Sequence, residues 1–405
     1  MQANEPLNAS QASVAEVFKT FLILGLTSFG GPVAHIAYFR KELIVRRGWL
    51  GEAQFSELLA ICQFIPGPAS SQLGFALGLL RAGWLGAVAA FLAFTLPSVL
   101  LLLAFVYALP VLSGPMAELA IHGLKLLACV VVADAVLAMA KKLCPDLYRQ
   151  GLALLAASTL LLLDTSWAQI VVIVAGAVAG MLFCRVTGDE VSAESGAAIR
   201  LPYGRGLGLT LFAVFLSLLF ILAWAPSELG LYSLAQAFYN AGAMVFGGGH
   251  VVLPLLEESV VASGWLTSEA FLAGYGAAQA VPGPLFSFAA YLGAMIPTAY
   301  GPWLEVLTAV FFIFLPGFLL LAAALPLWRS IAHNPLAANA VAGVNAVVVG
   351  VLAAALYDPI VISSIITWLD VVIVAVGFAQ LALWRLSPMY VLLWCVLASL
   401  LPVWW

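Results

Sequence analysis

Charge is scarce in this sequence. Asp, Glu, Lys and Arg make up only 8% of its 405 residues, about a third of the roughly 25% found in soluble domains. That excludes a water-facing globule of this length. It also excludes a nucleic-acid binder, because no basic cluster alternates with exposed aromatics. Cys62, Cys129, Cys144, Cys184 and Cys395 are scattered without CxxC spacing, which argues against a disulfide framework or a metal site. They read as small apolar residues of packed helices, with Cys62 beside a motif described below. Residues 1–16 hold no basic segment leading into an apolar core and cleavage site, so no signal peptide is expected. Paired His/Asp metal ligands, GxSxG and a flavin fingerprint are all missing, so an enzyme, a cofactor and a metal are not expected.

Apolar residues dominate instead. They reach 64% of the chain, with a mean hydropathy of +1.11. Runs at 85–111, 119–140, 167–184, 206–225, 303–327, 336–356 and 388–404 have the length of membrane spans.

Self-comparison finds two halves. SFGGP (28–32), RKELIVRRGWL (40–50) and QFIPGP (63–68) recur as FGGGH (246–250), LEESVVASGWL (256–266) and QAVPGP (279–284). Gln63 pairs with Gln279, Trp49 with Trp265, Phe55 with Phe271, Pro66 with Pro282 and Glu42 with Glu258 at one constant offset. Pro97 pairs with Pro316, and Lys125 with Asn345. The expected organisation is a first repeat at 15–185, a linker and connecting helix at 186–230, and a second repeat at 231–405.

Loop charges invert between the halves. Arg40, Lys41, Arg46 and Arg47 face Glu257, Glu258 and Glu269 in the partner loop. Lys141, Lys142 and Arg149 face Tyr357-Asp358-Pro359, while Arg329 faces a stretch without positive charge. Positive residues mark the cytoplasmic side. The two repeats are therefore expected upside down relative to each other, as in many secondary transporters. To keep Lys141, Lys142 and Arg81 inside, 54–79 must enter and leave on one side, broken at Pro66-Gly67-Pro68. The same holds for 270–296, broken at Pro282-Gly283-Pro284. The fold class expected is an all-α polytopic integral membrane protein. Its homologous halves form an inverted-topology repeat with broken or re-entrant helices, counted as nine full spans and four re-entrant elements.

Pro-Gly-Pro cannot continue a helix. A break at membrane depth survives only inside protein or beside a cavity, and it exposes N–H groups that attract anions. Gly30, Gly31, Gly67, Gly247, Gly248 and Gly283 are thus candidate backbone contacts for an anion, weighed against plain architecture. Gln63 and Gln279 are candidate neutral donors, or satisfy backbone freed by the breaks. Ser28, Ser71 and Ser287 offer hydroxyls. His250 and His35 are proton-linked donors or structural histidines. Lys125, in an apolar helix where ionisation is costly, and its mate Asn345 complete the set. Asp134 and Asp370 are proton-coupling groups or, the preferred reading, partners of Lys141 and Arg385. The basic run is a topology signal that also draws anions to an entrance.

At SFGGP, the basic GWL loop and QFIPGP, and again at FGGGH, GWL and QAVPGP, the sequence resembles the chromate ion transporter family in its two-domain form. The likeness covers about residues 15–400. It implies chromate efflux and resistance, with sulfate as the related anion, by an inner-membrane multi-pass protein of bacteria. The partners it implies are chromate, sulfate and the lipid bilayer; a homodimer is left open. Rival readings are an oxyanion uptake transporter, an anion channel and an intramembrane enzyme.

Overall fold

The computed structural model describes residues 13–111, 114–163, 168–185, 201–224, 229–328 and 334–401. Among them no strand occurs. The linker charges Asp189, Glu190, Glu194 and Arg200, and Arg329, lie outside the described residues.

The first half begins with α1 (Val14–Thr27) and α2 (Gly31–Phe39) around SFGGP. Next come α3 (Glu52–Phe64) and α4 (Ala69–Ala108) around the first Pro-Gly-Pro. It ends in α5 (Pro115–Leu143), α6 (Leu147–Leu162) and α7 (Ala168–Phe183). Helix α8 (Arg205–Leu222) connects. The second half repeats the plan with α9 (Leu231–Met244) and α10 (Val252–Val260) around FGGGH. Then come α11 (Ser268–Ala280) and α12 (Phe288–Met295) around the second Pro-Gly-Pro. It closes with α13 (Pro302–Ala324), α14 (Pro335–Ala355), α15 (Trp368–Phe378) and α16 (Pro388–Ser399). Prolines open α5, α13, α14 and α16, where a missing N–H is harmless.

Helix α4 is two arms. Ala82 and Gly83 leave helical geometry, Gly83 with φ 65°. Gly78 and Gly86 then touch across the bend, so 69–81 doubles back on 84–108. With α3, the first arm forms the expected hairpin broken at Pro-Gly-Pro.

The repeat is visible in contacts. A Cβ on Gly25 of α1 would lie 2.7 Å from the Phe94 carbonyl oxygen. Its counterpart Gly242 of α9 abuts the Ile313 carbonyl in the same way. The halves are also inverted. A Cβ on Gly247 would meet Met139 Cε at 3.0 Å and Asn345 Oδ1 at 3.5 Å. Were the halves parallel, Asn345 would sit level with its mate Lys125, about 20 Å along α5 from Met139. It lies instead beside the far end of α5, so α5 and α14 run in opposite directions.

Each half ends in a helical hairpin that packs on the other half's long helix: α6 and α7 on α14, α15 and α16 on α5. Gly343 of α14 lies against Gly176 and Gly180 of α7, and its mate Gly123 of α5 against Cys395 and Val396 of α16. Small residues let these backbones approach, as expected for Gly176 and Gly180.

Five described helices are long and apolar enough to cross a membrane: Ala69–Ala108, Pro115–Leu143, Arg205–Leu222, Pro302–Leu327 and Pro335–Ser364. The terminal hairpins fall short. The 16 residues of α6 or α7 extend about 24 Å, against a hydrocarbon core of about 30 Å. The four helices of the terminal hairpins are apolar but shorter than this length.

Candidate functional site

All four breaks meet at the junction of the halves. The Gly67 amide donates to the Val245 carbonyl at 2.7 Å, and the Gly283 amide to the Ser28 carbonyl at 2.9 Å. Ser28 and Val245 are equivalent, each preceding Phe-Gly-Gly. So each Pro-Gly-Pro tip docks on the glycine turn of the opposite half. The two glycine turns also touch, since a Cβ on Gly249 would lie 3.3 Å from Pro32 Cγ. Gly30 and Gly31 (φ 96° and 75°) and Gly247 (φ 76°) hold left-handed backbone at these turns, which glycine adopts without strain.

These bonds revise the expected roles of two glycines. The amides of Gly67 and Gly283 are spent on the opposite half and are not free anion donors in this conformation. Gln63 differs too. It is exposed and makes no hydrogen bond among the described residues, so it does not satisfy the broken backbone. Gln72 does, donating from Nε2 to Pro66 O at 2.9 Å and to Gly317 O at 3.0 Å. In the second tip Ser98 Oγ donates to Pro282 O at 2.5 Å. Gln72 and Ser98 escaped the sequence reading. The only clue was that Ser98 and Gly317 follow the paired Pro97 and Pro316.

Among the described residues three buried polar atoms around the junction, Ser28 Oγ, Ser71 Oγ and Asn345 Oδ1, have no hydrogen-bond partner, while His35 Nε2 and Gln279 Nε2 have only loose contacts, with the Ser28 backbone and the Tyr275 hydroxyl in reach. His35 is buried one turn into α2, with Nδ1 3.4 Å from Ser70 Oγ and its ring edge-on to Phe94. His250 sits at the opposite glycine turn, with Nδ1 2.9 Å from Tyr275 Oη. Gln279 lies one turn beyond Tyr275 on α11. Ser287 differs from its mate Ser71, because its Oγ donates to Pro284 O at 2.7 Å. Unpaired buried polar atoms are rare in native proteins. Their gathering beside the helix start at Gly31 makes this junction the candidate site.

Lys125 is 9% exposed and has no carboxylate within 4 Å among the described residues. Its neighbour Leu124 packs against Gly276 of α11, about 9 Å along that helix from the break. Lys125 therefore sits on the flank of the second hairpin, away from its tip. Asp370 does not pair with Arg385. Its Oδ1 meets His122 Nε2 at 2.9 Å, and its Oδ2 accepts from the amides of Ile366 and Thr367 and the Thr367 hydroxyl. Asp134 is half-buried and makes no ion pair within 4 Å with Lys141.

The basic run is largely neutralised. Arg40 pairs with Glu52, Arg46 with Glu42, and Arg47 with Glu42 and Glu16. Burial alone would raise the Glu42 carboxyl, but hydrogen bonds from Arg47 and Arg46 and their charges hold it below the usual carboxylate range. Lys41 alone of the four has no carboxylate within 4 Å among the described residues. The pull on anions at this loop is thus weaker than four positive charges suggest.

Residues 15–181 and 232–400, one stretch in each half, match the chromate transporter family. The chain belongs to that family. It is 27% identical over 346 residues to the probable chromate transport protein of Synechococcus elongatus, covering 85% of this chain and 84% of that one. The chromate transport protein of Pseudomonas aeruginosa is 28% identical over 358 residues, 85% of this chain and 81% of that one. That of Cupriavidus metallidurans is 27% identical over 345 residues, 83% and 80% of the respective chains. No solved structure matches. Membership in this family and the long apolar helices together make the chain a membrane protein built for transport.

Proposed function

We propose that this chain carries chromate outward across the bacterial inner membrane, by alternating access around the junction of its four broken helices. Sulfate is the competing or exchanged anion. The observation that carries the reading is the gathering there of unpartnered buried donors and acceptors beside the N-terminus of α2.

The chemistry suits a tetrahedral dianion. Hydroxyl, amide and imidazole groups bind oxyanions without a fixed charge, and a helix N-terminus adds positive potential. Ser28, His35 and Ser71 supply this set from the first half; His250, Gln279 and Asn345 supply it from the second. Gly30, Gly31, Gly247 and Gly248 let the ligand approach the backbone. Lys125 balances anion charge from the flank. Moving a dianion outward through an inside-negative potential of about 100 mV releases about 4.6 kcal/mol. That sustains a gradient of about a thousandfold, so efflux needs no further energy source.

Inside-out vesicles test the reading. Chromate accumulation driven by an interior-positive potential or by exchange with internal sulfate is expected. No accumulation under either would overturn it.

A further inference from the structure

The tips carry a second set of bonds that the transport reading did not require. Each is tied to the opposite half twice. The first tip is held by Gly67 N–H to Val245 O and by Gln72 Nε2 to Gly317 O. The second is held by Gly283 N–H to Ser28 O and by Ser98 Oγ to Pro282 O. Backbone contact seals both ties. A Cβ on Gly67 would lie 3.0 Å from Gly317 Cα, and one on Gly283 would strike the Ser98 side chain. Gly317 and Ser98 are equivalent, each following the proline within its long helix. Pro97 and Pro316 are therefore more than bends, because each presents the next residue to the opposing tip.

The ties differ in form. Gln72 forks, holding its own tip's Pro66 carbonyl and the Gly317 carbonyl with one amide. Ser98 makes its one bond across the halves, and the second tip's internal bond comes instead from Ser287 to the Pro284 carbonyl. The residue aligned with Gln72 is Phe288, which has no donor.

We propose that Gln72 and Ser98 are positioning residues for the transport cycle. They lock each re-entrant tip to the opposite half in this conformation and must let go when the halves move. This rests on the transport reading above. Rocking of one repeat against the other must strain these ties, whereas anion binding leaves them intact. Their loss should therefore change turnover and leave apparent affinity alone.

The test uses full-length protein in vesicles, with Ser98→Ala, Ser98→Thr and Gln72→Met. Ser98→Ala should change kcat for chromate about fivefold with KM within about twofold. Ser98→Thr, which keeps the hydroxyl, should restore the wild-type rate. Hydrogen exchange gives a readout independent of chromate. Ser98→Ala should speed exchange of the Gly283 amide about fivefold and spare Gly67, and Gln72→Met should do the reverse. A rise in KM at constant kcat, unchanged kinetics in folded Ser98→Ala, or unchanged exchange of Gly283 in Ser98→Ala would each overturn the proposal. If wild-type vesicles carry no chromate, the transport reading fails, and the exchange measurement still decides whether Ser98 and Gln72 hold the tips.

Discussion

The Gly67 amide reaches across the molecule to the Val245 carbonyl, 2.7 Å away, and the inverted twin of this bond joins Gly283 to Ser28 at 2.9 Å. A dipeptide turn inside a membrane protein leaves backbone groups that water cannot satisfy. Here each half satisfies the other's. Gly67 holds φ 126°, and a Cβ there would lie 2.6 Å from Gln72 Nε2. Gly67→Ala should thus cost at least about 2 kcal/mol from backbone strain alone. Gly151, in open space on α6, is the control: Gly151→Ala should be neutral or stabilise by about 0.5–1 kcal/mol. Thermal unfolding in detergent distinguishes the two.

Lys125 should matter through its charge. Lys125→Met removes a buried cation that has no carboxylate within 4 Å among the described residues to orphan, so the protein should still fold. Acting across about 9 Å, a unit charge contributes about 1–2 kcal/mol at an effective dielectric of about 20, so KM for chromate should rise about tenfold. Lys125→Arg should retain most of the affinity. Initial rates in vesicles across chromate concentrations would show it, and an unchanged KM in Lys125→Met would remove this residue from the site.

The link between α5 and α15 should be asymmetric in its energetics. His122→Ala leaves Asp370 with three donors, from Ile366 and Thr367, and should cost about 1 kcal/mol. Asp370→Ala strips the cap of α15 and orphans those donors, for about 3 kcal/mol. Chemical denaturation midpoints of the two variants, taken side by side, give the order.

Glu42 carries a pH signature. Its folded carboxyl is held below the ordinary value of 4.5 by Arg47 and Arg46, against the opposing effect of burial. A depressed carboxylate contributes stability that is complete above its unfolded value and lost as pH falls through the folded one. The 40–50 loop should hold its order at neutral pH and loosen only below 4.5. Glu42→Gln should abolish that acid transition. Proteolysis of the loop against pH reads it directly.

The sequence made the halves, their inversion and the Pro-Gly-Pro hairpins legible, because each leaves a local mark: a repeated motif, a reversed loop charge, a pair of prolines. Partners remote in sequence left none. Gln72 meets Gly317 across 245 positions, and His122 meets Asp370 across 248. Gln63 drew attention by its place beside the motif, yet Gln72, one turn into the next helix, does the bonding.

That exchange of terminal hairpins bears on biogenesis. While the chain is being inserted, α5 leaves the ribosome with the Gly123 stripe bare, and its cover, α16, is made some 270 residues later at Pro388–Ser399. The first half is thus an unfinished intermediate until the second arrives. Assembly is completed from the far end of the chain, and a truncation that spares every motif but removes the last helix should leave the first half without its lid.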